Sequence, residues 1–407
     1  MTAELLEFLE ELSRALIASG NSVTDTERIL RSVAESQGVE VEVSVLPTMI
    51  IIKAEGEVSR MGLAAQSPGM MPLHQVTEIY RLTDDVTAGR MEVGEALGEL
   101  RGILRGSHRF GRYGILLGYL ILSIGIALLI QPDPDLVIYS SFLSLIAGSL
   151  IVVGYGNRRL SLIMPVLASF TVSGVAFFLI NTGAVAVSGN LTLLVPPLIY
   201  FIPGVTLTTG IYELASGELV SGSSRVIYGC MVLLLLLFGV LMGMQLNRFP
   251  QEEFAAIKIS AMSYSPYLGA FIFAVGIYLF LSVYRSDFPW ILLVLYNALM
   301  GQQLGNVAGG GLLGAFLGAL SMTLVARGIE LAGKTPHFVT LYPAFWFLAP
   351  GSLGFIGLAN LLGRNYLTSV AEITLFAMTV VAIALGLLVG ALLTEPFSDK
   401  IRAPGGD

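Results

Sequence analysis

The chain has 407 residues, of which 55% are hydrophobic and only 13% are charged. Soluble domains carry about 25% charged residues, so this composition excludes an ordinary soluble globule and favours a membrane protein. The net charge of -7 arises mainly from acids in the first 112 residues and gives no indication of nucleic-acid binding.

Residues 1–110 are predicted to form a small cytosolic α/β domain. Apolar residues recur at helical spacing up to Leu16, and Gly20 suits a C-terminal cap. The run 24–27, Thr-Asp-Thr-Glu, fits a capping box that opens a second helix to about Gln37. No catalytic or metal-ligand spacing stands out, so a structural or regulatory role is favoured over catalysis.

The remaining elements of this domain are two strands and two helices. The strands are predicted at 39–45 and 48–54, where valine and isoleucine are frequent, and the helices near 72–88 and 93–105.

From Tyr113 onward we predict ten membrane spans of about 17–25 residues, the length that crosses ~30 Å of hydrocarbon. The spans are 113–130, 136–155, 160–180, 191–212, 226–244, 266–284, 289–304, 309–328, 340–361 and 371–393. The expected fold is therefore a mainly α membrane protein with ten transmembrane helices behind the N-terminal domain. Its expected parts are 1–110, the cytosolic domain; 111–245, a first five-span repeat; and 246–407, a second five-span repeat with a cytosolic tail.

Basic residues near the span ends predict the orientation. Twelve lie on the side that carries the N-terminal domain and three on the other, which places both termini in the cytoplasm by the positive-inside rule. The expected location is the cytoplasmic membrane.

A pattern of helix-breaking residues occurs twice in the membrane part. A shift of 147 positions brings two sets of residues into register: Pro196, Pro203, Gly204, Gly210 and Leu214 with Pro343, Pro350, Gly351, Gly357 and Leu361. Because five spans is an odd number, the second half is expected to cross the membrane in the opposite sense. Interrupted helices at matching positions of an inverted repeat are typical of a transporter's substrate site, although paired packing kinks remain the alternative.

Polar groups near these interruptions are the candidates for substrate binding. Half-helix ends and freed backbone groups can hold a zwitterionic solute, and hydroxyls can either contact it or bond back to their own helix. The amides in span seven can line the pathway or join helices. The expected substrate-binding residues are Pro203, Gly204, Thr206, Thr208, Thr209, Pro350, Gly351, Ser352, Asn297 and Gln303.

Few ionisable residues lie within the spans. Glu213 follows Pro203 by ten residues, about 15 Å along a helix, which places it at the cytoplasmic mouth. It is the candidate coupling carboxylate, because an ionisable group in a span suggests function and desolvation raises a carboxyl pKa. The alternative is a solvated helix end.

These residues resemble the threonine/serine exporter family over nearly the whole length. The resemblance is carried by five runs: 18–27, 82–89, 202–209, 213–225 and 348–352. The most specific is Pro203-Gly-x-Thr-x-Thr leading through Glu213 to Glu218 and Arg225, which are assigned to gating; position 213 holds Glu where the family pattern has Asp. The resemblance implies export of L-threonine, L-serine and small peptides, driven by the proton gradient or membrane potential. The N-terminal domain of the family has been likened to hydrolases, but no such site is visible here.

The expected function is therefore a secondary transporter rather than an enzyme. Its expected partners are an amino-acid substrate, protons and the lipid bilayer, and a homo-oligomer is left open. No cofactor, metal or nucleic acid is predicted. Two alternatives stay open: a membrane-anchored hydrolase that uses residues 1–110, and an uncoupled small-solute channel.

Overall fold

The structure is a computed structural model of the chain. It describes residues 3–46, 49–54, 60–62, 71–130, 133–184, 190–249, 265–348, 355 and 366–402. The predicted mainly helical fold is confirmed for these residues.

The N-terminal part begins with two helices joined by a short turn. Helix α1 spans Ala3–Ser19 and buries Phe8, Leu9 and Leu12 completely, as the helical spacing predicts. Helix α2 spans Val23–Ser36, and its N-cap is Ser22, whose hydroxyl accepts a hydrogen bond from the backbone of Asp25. The predicted capping box at residues 24–27 is therefore wrong by two positions, because Glu27 instead accepts a hydrogen bond from the Val45 backbone N–H at 2.8 Å.

A three-stranded antiparallel sheet follows, in the order β1-β2-β3. Strand β1 is Val41–Leu46, β2 is Met49–Ala54 and β3 is Arg60–Gly62. Val41 pairs with Ala54, and β1 alternates buried and exposed side chains because one face packs on the core. The two predicted strands are confirmed within two residues, whereas β3 was missed because three residues carry no readable alternation. Helices α3, Leu73–Thr87, and α4, Val93–Arg105, agree with prediction.

Apolar helices make up the rest of the chain. They are α5 Gly111–Ile130, α6 Pro134–Gly154, α7 Arg158–Asn181, α8 Asn190–Leu198, α9 Gly204–Ala215, α10 Leu219–Leu246, α11 Ser265–Phe280, α12 Phe288–Gly309, α13 Gly311–Leu331, α14 His337–Leu348 and α15 Tyr366–Arg402. Among the described residues, six helices are long and apolar enough to cross a membrane: α5, α6, α7, α10, α13 and α15.

Two predicted spans differ in form from single continuous helices. The predicted span 191–212 is two helices, α8 and α9, separated by five residues. The predicted span 266–284 ends its helix early, at Phe280, because Ser282 takes a left-handed backbone conformation with φ of 55°.

Helices α5 and α11 cross in direct backbone contact. A Cβ added to Gly125 would lie 2.5 Å from the backbone nitrogen of Phe273, and one added to Gly276 would lie 2.2 Å from that of Leu122. Gly118, near the start of α5, faces Phe280, at the end of α11. Facing residue numbers rise on one helix as they fall on the other, so α5 and α11 run antiparallel. Small residues at such a crossing allow the close approach on which membrane helix packing depends.

The N-terminal part packs against the turn between α11 and α12. The backbone N–H of Leu73 donates to the carbonyl of Leu281 at 2.7 Å. The Thr77 hydroxyl donates to the fully buried carboxylate of Asp287 at 2.8 Å. Because a buried carboxylate needs such donors, this contact fixes α3 against one end of the helical bundle.

Candidate functional site

The chain interrupts its predicted fourth span between Leu198, the end of α8, and Gly204, the start of α9. Pro196 and Pro197 lie in the last turn of α8 and Pro203 is the N-cap of α9, so three backbone N–H donors are missing from this stretch. The break lies where the Pro-Gly pattern predicts it.

Two of the carbonyls at this break accept hydrogen bonds from side chains of α5. The hydroxyl of Tyr119 donates to the carbonyl of Pro197 at 2.7 Å, and that of Ser123 donates to the carbonyl of Pro196 at 3.1 Å. Both side chains are buried, so the break survives in an apolar setting because the protein supplies its partners. Sequence reasoning missed both residues; the available signal was two hydroxyls at i and i+4 in an apolar span.

Helix α9 carries the predicted threonines. Thr208 is fully buried, and its hydroxyl has no hydrogen-bond partner among the described residues. Thr209 lines a cavity that Asp25 also lines, and Thr206 is half-buried. Thr208 therefore does not use the back-bond to its own helix that was the alternative for these residues. A buried hydroxyl without a partner is costly unless a ligand or water supplies one.

Glu213, near the end of α9, is buried with no exposed surface, so the alternative of a solvated helix end is wrong. Its Oε1 accepts from the backbone N–H of Val23 at 3.0 Å, and its Oε2 accepts from the Ser221 hydroxyl at 2.8 Å. The Nε of Arg225 lies 3.0 Å from Oε2, an ion-pair contact without hydrogen-bond geometry. Arg225 also donates through Nη2 to the Asn21 carbonyl at 3.1 Å. The predicted coupling residue Glu213 and the predicted gating residue Arg225 thus meet at the start of α2.

A second charged cluster joins α2 to α13 and α14. The Nη1 of Arg327 lies 3.1 Å from Oε2 of Glu330 and 3.2 Å from Nδ1 of His337, whose ring nitrogen is 2.8 Å from Oε1 of Glu330. The Nη2 of Arg327 lies 3.3 Å from Oδ1 of Asp25, and the Nε2 of His337 is 4.0 Å from Oδ2. We name these four residues, Asp25, Arg327, Glu330 and His337, the charged cluster. Sequence reasoning used Arg327 only for orientation; the signal it missed was an Arg/Glu pair at i and i+3 near a span end.

Burial and charge act in opposite directions on Asp25. Burial alone would raise the pKa of its carboxyl, but Arg28, together with His337 and Arg327, lowers that pKa well below its ordinary value. Burial also raises the pKa of Tyr80, whose hydroxyl donates to the Asn21 side chain at 2.8 Å. Asp25 is therefore an anion and Tyr80 a neutral donor at neutral pH.

The charged cluster borders a narrow cavity of about 60 Å³, which has room for a few water molecules. The N-terminal part, the first half of the membrane helices and the second half all contribute to its wall. The polar lining is Ser22, Asp25, Thr209, Thr323, Arg327 and His337, and the apolar lining includes Phe338, Leu341, Phe345 and Leu387.

Other predicted site residues lie elsewhere or outside the described part. The Asn297 amide donates to the Leu293 carbonyl of its own helix at 2.9 Å, and Gln303 accepts from the Tyr267 hydroxyl at 2.7 Å. Neither lines the cavity. Glu218 is the half-buried N-cap of α10 and makes no side-chain cap bond there. Pro350, Gly351 and Ser352 lie outside the described residues, so their role stays a prediction.

Comparison with known proteins identifies the family. A family model described as "Putative threonine/serine exporter" matches residues 7–247, which is more than half of the chain. No curated protein and no solved structure matches the chain. The matched range includes the N-terminal part, the break before Gly204, and the Glu213–Arg225 pair. Together with the six apolar helices it makes the chain a multi-pass membrane protein of a transporter family. The chain therefore belongs to the threonine/serine exporter family.

Proposed function

We propose that the protein is a secondary transporter that exports small hydroxylated amino acids, L-threonine and L-serine, across the cytoplasmic membrane. The observation that carries the proposal is the buried break before Gly204, because it leads directly into Thr208, a hydroxyl without a partner among the described residues. Broken helices with unsatisfied polar groups at membrane depth are where transporters bind solutes. Membership of the exporter family supplies the substrate class.

The transport mechanism that we propose is alternating access between two inverted five-span halves, 111–245 and 246–407. The antiparallel crossing of α5 and α11, the first helix of each half, supports it. So do two matched helix pairs. Gly239 and Gly243 of α10 face α7, and Gly386 and Gly390 of α15 face α13. In each pair the facing residue numbers rise together, so the two helices run parallel. The two glycine pairs are 147 positions apart, the same shift that relates the Pro-Gly patterns.

In this scheme the substrate binds beside the break of α8 and α9 and its counterpart at Pro350-Gly351. The N-terminal domain, 1–110, covers the cytoplasmic end, because it contacts the end of α9, the α11–α12 turn and the end of α13. Glu213 and Arg225 then hold the N-terminal domain against the first five-span half, with Glu218 beside them. Coupling to the proton gradient or membrane potential through Glu213 is part of the proposal.

Counterflow of radiolabelled L-threonine in proteoliposomes tests the function. Vesicles loaded with unlabelled threonine should accumulate label, and serine should compete. Gly204→Leu should abolish uptake because its side chain fills the break, whereas Gly328→Leu should not, since nothing lies within 4 Å of a Cβ added at Gly328. Absence of counterflow in the wild-type protein would refute the proposal.

The same vesicles separate the proposed transporter from a channel and from an enzyme. Efflux against a threonine gradient that collapses with a protonophore supports coupled transport, whereas efflux that only follows its gradient indicates a channel. Chemical conversion of the labelled threonine, abolished by removal of residues 1–110, would indicate an enzyme.

A further inference from the structure

We propose that the cavity beside the charged cluster is a second binding site for the transported solute, in which Arg327 holds the carboxylate and Asp25 the ammonium group of a small zwitterionic amino acid. The site lies on the face that the N-terminal part covers, and it rests on the proposed function. Thr209 places it about 7.5 Å along α9 from Gly204, since each helical residue rises 1.5 Å.

The carboxylate position follows from how Arg327 is held. Its Nη1 pairs with Oε2 of Glu330 at 3.1 Å, and its side chain is only 12% exposed. Its Nη2 reaches across the cavity edge to Asp25 at 3.3 Å, the longer of the two contacts. A planar guanidinium anchored on one side and weakly engaged on the other can exchange that partner for a ligand carboxylate.

The ammonium position follows from the partners that Asp25 keeps when it releases Arg327. Its Oδ2 accepts from the Ser22 hydroxyl at 2.9 Å, and its Oδ1 pairs with Arg28 on the same helix. The carboxylate therefore stays ionised and oriented, and it can accept hydrogen bonds from an ammonium group in place of those from Arg327.

The charge balance of the site favours a neutral zwitterion. Besides His337, the charged side chains here are two acids, Asp25 and Glu330, and two bases, Arg28 and Arg327. A bound zwitterion replaces the ion pair between Asp25 and Arg327 by two ion pairs, one with each of these residues. The net charge of the site stays the same. A ligand with a net charge would leave one charge buried and unpaired, which is strongly unfavourable.

The remaining lining of the cavity sets the size of the ligand side chain. Phe338, Leu341 and Phe345 line the cavity with apolar side chains, and Thr209 of α9 also lines it. A methyl group and a hydroxyl on one carbon, as in threonine, match this mixture. The narrow space admits only a small side chain once Asp25 and Arg327 separate.

Protection of an introduced thiol tests the site without relying on transport. The only native cysteine is Cys230, so Thr209→Cys in a Cys230→Ala background gives one thiol in the cavity wall. In purified protein, L-threonine at ten times its Kd should slow modification by a small methanethiosulfonate about tenfold, because occupancy leaves about one site in eleven free. Threoninol, which lacks the carboxylate, and 3-hydroxybutyrate, which lacks the ammonium group, should not protect. Ala88→Cys, exposed at the end of α3, controls for direct effects on the reagent.

Arg327→Lys in the Thr209→Cys background should weaken the apparent affinity for threonine about tenfold or more, because lysine keeps the charge but not the fork of donors. Two results would overturn this site and leave the proposed function standing. One is that threoninol protects the thiol as well as threonine does. The other is that threonine gives no protection although the wild-type protein still shows counterflow. Absence of both counterflow and protection overturns the two together.

Discussion

Glu213 is a carboxylate without exposed surface that contacts groups from two parts of the chain. The Val23 N–H belongs to the N-terminal part, whereas Ser221 and Arg225 belong to the start of α10. Taking a carboxylate out of water is costly, and these three contacts offset that cost. The residue therefore stabilises the contact between the two parts whatever its place in coupling.

Loss of either partner of this pair should destabilise the protein more than loss of an exposed pair. We expect Glu213→Gln and Arg225→Gln each to lower the free energy of unfolding by about 2–4 kcal/mol, because each leaves a largely buried group unpaired. The double variant should lose less than the sum of the two. Arg101→Gln, which removes a pair with Glu7 at the surface, should cost below about 1 kcal/mol. Denaturant titration in detergent measures all four; additive losses would contradict a direct pair.

Asp25 predicts a dependence of stability on pH. Burial raises the pKa of its carboxyl, but Arg28, His337 and Arg327 outweigh burial and hold the pKa well below 3.8 in the folded protein. Such a group stabilises the fold above its unfolded pKa, and the contribution is lost as the pH falls through the folded pKa. The Asp25 contribution should therefore be constant from about pH 5 to 8 and decline below about pH 4.

Melting temperatures of matched variants isolate this contribution. Asp25→Asn should have a lower melting temperature than the wild type at pH 7. Its melting temperature should fall less than that of the wild type when the pH is lowered further. Glu40→Gln, at an exposed position, should follow the wild-type curve. If the melting temperatures of Asp25→Asn and the wild type fall equally with pH in the acid range, Asp25 is not the titrating group.

At the scale of elements, local chemistry decided what could be predicted. Prolines and glycines act within a few residues of themselves, so the break before Gly204 was predictable from the sequence alone. The start of α2 was misplaced because Ser22 and Thr24 both suit an N-cap, and the choice depends on Glu27 bonding to a strand 18 positions away. Strand β3 is three residues long and exists only by pairing with β2.

The antiparallel crossing of α5 and α11 carries a prediction at the same scale. A Cβ at Gly276 would lie 2.2 Å from the Leu122 backbone, which cannot move away without shifting its helix. We expect Gly276→Ala to lower the yield of monodisperse protein and its melting temperature. Gly328→Ala, with nothing within 4 Å, should be neutral or slightly stabilising because alanine favours helix by up to about 1 kcal/mol. Equal melting temperatures for the two variants would show that this crossing is not tightly packed.

At the scale of the whole molecule, the charged cluster was beyond prediction from one sequence. Asp25 lies 302 positions from Arg327, and Val23 lies 190 from Glu213. Neither local propensity nor hydropathy relates residues so far apart. A single charged residue near the end of a span is compatible with a solvated helix end and equally with a buried ion pair. The family motifs drew attention to Glu213 and Arg225, but only packing brings the N-terminal part onto both halves of the bundle.

The proposed inversion of the two halves makes a prediction about membrane sides. Asp133 follows α5 and Arg285 follows α11, and both are exposed. Because the two helices are antiparallel and α5 is about 30 Å long, these positions lie at opposite ends of one helix pair. In a Cys230→Ala background, an impermeant maleimide applied to intact cells should label Asp133→Cys, whereas Arg285→Cys should react only after permeabilisation. Glu99→Cys, on the N-terminal part, should behave like Arg285→Cys. Labelling of both loop positions from one side would refute the inverted arrangement, and a reversed pattern would place the N-terminal part outside the cell.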